Sequence, residues 1–165
     1  MTRKLIVGIM GPDTHEAVNL PLAEQLGKAV AEAGYIVLTG GRTRGVMDAA
    51  CKGAKAAGGT TIGIIPGDSG EDVSDAVDIP IITGLGSARN NINVLSCAVV
   101  VAVGMGPGTA SEVALALKAK KHVVLLGASE DAVKFFTSLE AAHVHSAADV
   151  AQAMTHITAV VQAAA

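Results

Sequence analysis

Four glycine-bearing segments of this 165-residue chain, each following a run of apolar, largely β-branched residues, are the parts best equipped for chemistry. They are Gly11-Pro12-Asp13-Thr14, Gly40-Gly41-Arg42-Thr43-Arg44-Gly45, Gly84-Leu85-Gly86-Ser87-Ala88-Arg89 and Gly104-Met105-Gly106-Pro107-Gly108-Thr109. Glycine lets a backbone approach an anion closely, and where such a loop runs into a helix the first amide N–H groups lack intrahelical acceptors and point at whatever sits there. A phosphorylated ligand is the simplest chemistry that accounts for them. The expected cradle is Gly106, Gly108 and Thr109, acting through the N–H groups of Gly108, Thr109 and Ala110 and the Thr109 hydroxyl, with Gly41 and Gly45 closing it from a neighbouring strand end. Two common nucleotide sites are absent. A dinucleotide fingerprint needs GxGxxG after the first strand and an acid ending the second, whereas this chain has Gly8-Ile9-Met10-Gly11 and Thr39-Gly40-Gly41. No Gly-Lys-Ser/Thr follows any loop, so the Walker pattern is missing too.

Among charged groups, Arg89 opens a helix at a strand end, a place that suits an anion better than mere solubility. Glu112 falls on the first turn of its helix, where a carboxylate also complements the helix dipole. Arg42 and Arg44 are loop charges, and Met10, Met47 and Met105 are core or lining residues.

These loops need a scaffold that brings strand ends together. Leu5 to Met10 is a continuous apolar run, which suits a strand buried on both faces inside a sheet. Tyr35 to Leu38, Thr61 to Ile65, Ile79 to Thr83, Ala98 to Val103 and His122 to Leu126 share that character. Between them lie helix-length amphipathic stretches, Leu20 to Ala33, Val46 to Ala57, Ser87 to Ser96 and Thr109 to Lys120. The remainder reads as helices over Asp131 to Leu139 and Ser146 to Gln162 around a short strand near His143. Such alternation predicts right-handed crossovers and one mainly parallel sheet covered on both sides: an α/β, three-layer single domain over residues 1–165.

Composition agrees. Half the residues are hydrophobic and only three are aromatic, so Val, Ile, Leu and Ala must fill the core, as in tightly packed helix-on-sheet layers. The net charge, 12 − 15 = −3, comes with no basic run, so nucleic acid is not an expected partner. Cys51 and Cys97 form neither a disulfide framework nor a CxxC pair, and the five histidines offer no HExxH, so no metal site is expected and a reducing, cytoplasmic setting fits. No apolar run is long enough to span a bilayer.

Read together, Thr39-Gly40-Gly41-Arg42-Thr43-Arg44-Gly45-Val46-Met47-Asp48-Ala49-Ala50 and Gly58-Gly59-Thr60-Thr61-Ile62-Gly63-Ile64-Ile65-Pro66 resemble the signature of the lonely-guy and lysine-decarboxylase-like superfamily. Its second signature, an Arg followed 23 residues later by the Glu of a PGGxGTxxE loop, is matched by Arg89 and Glu112. The resemblance covers roughly residues 4 to 126 and implies a Rossmann-like fold. Short length and the altered loop Gly104-Met105-Gly106-Pro107-Gly108-Thr109 look most like the molybdenum cofactor carrier proteins. That resemblance implies a homo-oligomer, dimer or tetramer, that binds and protects the molybdenum cofactor, a pterin with a terminal phosphate, and delivers it to apo-molybdoenzymes such as nitrate reductase. Gly11, Gly40, Gly41, Gly45, Arg89, Gly106, Gly108, Thr109 and Glu112 would hold it. The alternative is a phosphoribohydrolase cleaving a nucleoside 5'-monophosphate, in which Glu112 would stabilise the oxocarbenium or activate water while Arg89 holds ribose or phosphate. The hydrolases' Pro-Gly-Gly start is replaced here and their Arg-Lys is Arg89-Asn90, so weak or absent turnover is expected.

Overall fold

A computed structural model describes residues 3–14 and 18–163. Seven strands form one sheet in the order β4-β3-β2-β1-β5-β6-β7, and every pairing is parallel. The strands are β1 (Ile6–Met10), β2 (Ile36–Thr39), β3 (Thr61–Ile65), β4 (Ile79–Ile82), β5 (Val99–Val103), β6 (Val123–Leu126) and β7 (Val144–Ala147). As the apolar run predicts, β1 lies at the centre, between β2 and β5.

Alternation along the strands sorts the core into two halves. Val7, Ile9, Val37, Val99 and Val101 face one side, where α1 (Asn19–Glu32), α2 (Gly45–Ala56) and α6 (Val150–Ala163) pack. Met10, Leu38, Ile64, Val100 and Leu125 face the other, covered by α3 (Asn90–Leu95), α4 (Pro107–Lys118) and α5 (Glu130–Glu140). This is the expected three-layer α/β fold.

Two glycines set how closely α1 and α2 cross. A Cβ on Gly27 would stand 2.0 Å from the Ala50 carbonyl oxygen, and one on Gly53 would stand 1.9 Å from that of Glu24. The two helix backbones therefore touch directly, which draws the start of α2 in against the end of β1.

Two expectations need correction. The segment Ile79 to Thr83 does form a parallel strand, but β4 is an edge paired only with β3, and Ile79, Ile81 and Ile82 are each more than two-fifths exposed rather than buried on both faces. Apolarity alone cannot separate an edge from an interior strand; Pro80, which lacks an N–H to give a further neighbour, is the residue that marks the edge. In the last third, Ser146 belongs to β7 and the helix starts only at Val150.

Four of the five histidines, His122, His143, His145 and His156, lie together in space, and His15 is outside the described residues. His122 Nδ1 lies 2.9 Å from His145 Nε2, and the rings of His143 and His156 extend the row on either side, with centroid separations of 4.7 and 5.0 Å from His122 and His145 respectively. Burial, then the neighbouring rings, hold His122 and His145 below the ordinary imidazole range. The row ties β6, β7 and α6 together at the end of the sheet remote from the glycine loops.

Two outcomes follow from this packing. Gly53→Ala should lower stability in urea unfolding by about 1–3 kcal/mol, the usual cost of overpacking, while Gly108→Ala, whose Cβ meets nothing within 4 Å, should change it little. Because His122 and His145 bind protons less readily when folded, they cost stability as pH falls below about 6.5. His145→Gln should therefore lose less stability than the unsubstituted protein between pH 7.5 and 5.5 in thermal melts, and parallel pH profiles would contradict this.

Candidate functional site

Strand order reverses between β1 and β5, and in open parallel sheets the crevice at such a reversal, beyond the carboxyl ends of the strands, is where ligands bind. A cavity of about 570 Å³ opens there. Its construction begins with Gly11, which ends β1 so close to its neighbours that a Cβ would lie 2.6 Å from both the Val103 carbonyl oxygen and the Val46 side chain.

One wall is the start of α4. Gly106 is extended at the N-cap and Pro107 takes the first helical position, where a missing N–H costs nothing. The N–H of Ala110 donates to the Gly106 carbonyl at 2.8 Å, so it is consumed by the helix and the cradle expected from sequence narrows to Gly108 and Thr109. The Thr109 hydroxyl is buried and has no partner among the described residues. Behind this wall the Ser111 hydroxyl donates to the Gly108 carbonyl at 2.7 Å, and Asn90 Nδ2 donates to Ser111 Oγ at 2.9 Å. Since C=O and N–H of a trans peptide point oppositely, pinning the Gly108 carbonyl down the helix holds the Thr109 N–H toward the helix mouth.

Of the sequence-predicted residues, Gly11, Arg89, Gly106, Gly108, Thr109 and Glu112 line this cavity; Gly40, Gly41 and Gly45 stand behind its wall. A Cβ on Gly40 would lie 2.3 Å from Arg89 Nη1, so that glycine leaves room for the guanidinium. Gly41, at φ +73°, gives its N–H to Thr39 Oγ1 at 3.0 Å. Gly45, at φ +63°, opens α2 against Pro12, whose carbonyl accepts the Val46 N–H at 3.1 Å. The N–H of Val46 at the start of α2 is thus turned onto the chain itself, while the start of α4 faces the cavity and Gly86, Ser87 and Arg89, just before α3, line it as well.

The charges divide into rim and floor. At the rim Arg42 Nε donates to Asp72 at 2.7 Å and Arg42 Nη1 lies 3.5 Å from Asp13; the Thr43 hydroxyl and then Arg42 pull the Asp72 carboxyl down to about 2. Deeper in, Arg89 is 8% exposed, its Nε has no partner, and among the described residues no carboxylate lies within 4.0 Å of it. Glu112, 6% exposed, accepts a hydrogen bond from Asn93 Nδ2 at 2.8 Å. Burial pushes the Glu112 carboxyl up to about 7, opposed by the Asn93 bond and the charge of Arg89. Asn90 and Asn93 carry no signal beyond falling on the helix that Arg89 opens, and the sequence reading does not find them.

The cavity therefore offers amide and hydroxyl donors and the guanidinium of Arg89 to an anion, with Arg42 at the rim bound to Asp72 and Asp13 and the Glu112 carboxyl able to change charge near neutrality. Thiol chemistry is not on offer: burial pushes Cys51 up to about 11 and Cys97 up to about 12. Among the described residues no three His, Cys, Asp or Glu side chains are arranged to hold a metal ion.

The Glu112 environment has a measurable consequence. Folded Glu112 keeps a proton that the unfolded chain releases above about 4.5, so its contribution to stability falls as pH rises from 4.5 through 7. Glu112→Gln, which cannot ionise, should gain on the unsubstituted protein between pH 5 and pH 8, by up to roughly 3 kcal/mol in denaturant titrations. A gap that stays constant with pH would mean that Glu112 titrates as an ordinary carboxyl.

The same fold and nearly the whole chain recur in solved structures. The molybdenum cofactor binding protein from the phototrophic bacterium Rippkaea orientalis is 48% identical, with a TM-score of 0.94 over 98% of this chain and 99% of that one. The Moco carrier protein from Chlamydomonas reinhardtii is 60% identical, with a TM-score of 0.92 over 97% of this chain and 99% of that one. An uncharacterized protein of Archaeoglobus fulgidus is 39% identical over 120 residues, 73% of this chain and 78% of its own length. The model of the SLOG cluster4 family matches residues 4–154, and the chain belongs to that family.

Proposed function

We propose that this chain binds, protects and carries the molybdenum cofactor and passes it to apo-molybdoenzymes such as nitrate reductase. The observation that carries the reading is the likeness to carrier proteins over nearly the full chain, joined to a cavity rich in donors and free of reactive thiols. A volume of about 570 Å³ suits a pterin-sized ligand, since such sites run from about 300 to 1,000 Å³. The terminal phosphate is assigned to the N–H groups of Gly108 and Thr109 and the Thr109 hydroxyl, with Arg89 as counter-charge. Met10, Met47 and Met105, with Pro12 and Pro66, supply adaptable apolar walls for the fused rings.

Assembly into a dimer or tetramer is part of the proposal. It is supported by the exposed Ile79, Ile81 and Ile82 on the edge strand and by Leu85 and Leu95 close to them in sequence. A cytoplasmic setting is supported by two unpaired cysteines, and none of the helices among the described residues is long and apolar enough to cross a membrane. A second reading, N-glycosidic cleavage of a nucleoside monophosphate, is favoured by one observation: Arg89 and Glu112 line the same cavity.

Mass spectrometry of protein isolated anaerobically should reveal a bound molybdenum-containing pterin. Incubation with AMP should yield little free base; appreciable base, abolished by Glu112→Gln, would favour the hydrolase instead. Gly108→Asp places a carboxylate at the helix mouth at no steric cost, since its Cβ meets nothing within 4 Å. It should weaken the cofactor at least tenfold, about 1.4 kcal/mol. Unchanged affinity in the folded variant would show that the phosphate is not held at the mouth of α4.

A further inference from the structure

The feature that an anion site does not explain is a carboxyl at its floor. Glu112 lies one turn below Gly108 and three residues below Thr109 on α4, lines the same cavity and is 6% exposed. An ionised carboxylate there would oppose any phosphate above it and would take up the charge of Arg89, the one cation at that depth, because Arg42 at the rim is already held by Asp72 and Asp13.

The neighbours of Glu112 favour its neutral form. One carboxyl oxygen, Oε1, accepts from Asn93 Nδ2, and the other atom of that amide, Asn93 Oδ1, is fully buried and has no partner. A carboxylate brings only acceptors to this corner; a carboxylic acid brings an O–H, which Asn93 Oδ1 or a cargo oxygen can accept. The remaining groups around it do not supply that hydrogen. From the segment preceding α3 comes Arg89, a cation. From β1 comes the Met10 thioether, itself 3.9 Å from Asn93 Nδ2, and farther in the buried Cys97 thiol gives its hydrogen to the Asn93 carbonyl at 3.1 Å.

We propose that Glu112 is a proton-carrying ligand of the cargo: it holds a proton whenever the cavity holds an anion, so loading takes up a proton from the medium and weakens as the medium turns alkaline. The proposal rests on the carrier reading. Protonation of Glu112 removes a buried negative charge that offsets the field of Arg89 at the phosphate and adds a donor beneath it, while loss of that proton reverses both. Burial has already brought this carboxyl to about 7, and a phosphate bound nearby raises it further, so the switch operates around neutrality. Specificity follows in the same terms, since an uncharged ligand of the same shape would gain nothing from the proton.

The test is a fluorescence titration with an oxidised pterin bearing a terminal phosphate, from pH 6.5 to 8.5 at constant ionic strength. A phosphate monoester, with a second pKa near about 6, gains charge over this range, which by itself strengthens binding to amide donors and a guanidinium. The unsubstituted protein should nevertheless weaken at least about fivefold, whereas Glu112→Gln should not weaken at all. If Glu112→Gln does not fold, calorimetry of the unsubstituted protein at pH 7.5, in buffers of differing ionisation enthalpy, should count about one proton taken up per probe bound. Binding that is unchanged or tighter at high pH, or a proton count of zero, overturns this proposal alone. Failure to bind the probe at any pH overturns the carrier reading and this proposal with it.

Discussion

The close approach of three backbones at the reversal of strand order is the constraint from which the site follows. Where β1 ends, Gly11 must fit between the last carbonyl of β5 and the side chain of Val46 in α2, and a single methyl group there would lie 2.6 Å from both. The Gly27 and Gly53 contacts between α1 and α2 hold α2 in that position from the other end. Once the three elements are locked, the loops after β1 and β5 have to diverge, one toward α1 and one toward α4. The cavity is the space between them. Its walls are therefore as rigid as the helix packing beneath them, which suits a site whose donors are backbone amides.

Electrostatics inside that space is governed by burial rather than by net charge. The molecule carries −3 overall, but surface charges act through screened solvent, while Arg89 and Glu112 face each other where water is largely excluded. Rim and floor differ accordingly. Asp72, half-buried and hydrogen-bonded by Thr43 and Arg42, is held well ionised; the carboxyl of Glu112, buried with a single amide donor, is raised to about 7. A carboxyl bound to the rim arginine and one at the cavity floor thus differ in charge because of what surrounds them.

The sequence made the scaffold legible because parallel strands buried on both faces leave continuous apolar runs and α1 and α2 are closed by Gly34 and Gly58. It said little about β4, whose isoleucines look the same whether covered by helices or exposed at an edge. The glycine loops were recognisable as special, yet their type alone did not separate Gly108, which faces the cavity, from Gly41 and Gly45, whose positive φ and close contacts shape the wall from behind. The brace from Asn90 through Ser111 to the Gly108 carbonyl was invisible for a different reason. Its members are 21 residues apart and of types common on helix surfaces, and only the packing of α3 on α4 makes them partners. The histidine row was hidden in the same way, assembled from β6, β7 and α6.

These placements bear on why a site with an arginine and a buried acid should carry rather than cleave. Cleavage of a glycosidic bond asks a carboxylate to face a developing cation, so the acid has to be ionised and aimed at the sugar. Here one oxygen of Glu112 is occupied by Asn93, and burial favours its neutral state near pH 7. Pro107, in the first position of α4, removes one N–H from the helix mouth, and Ala110 returns another to Gly106, leaving the amides of Gly108 and Thr109 there. Two amides and a buried guanidinium are groups that can grip an anion and do not advance any bond toward breaking. A carrier needs that division, since a cargo altered by its own binding site could not be handed on.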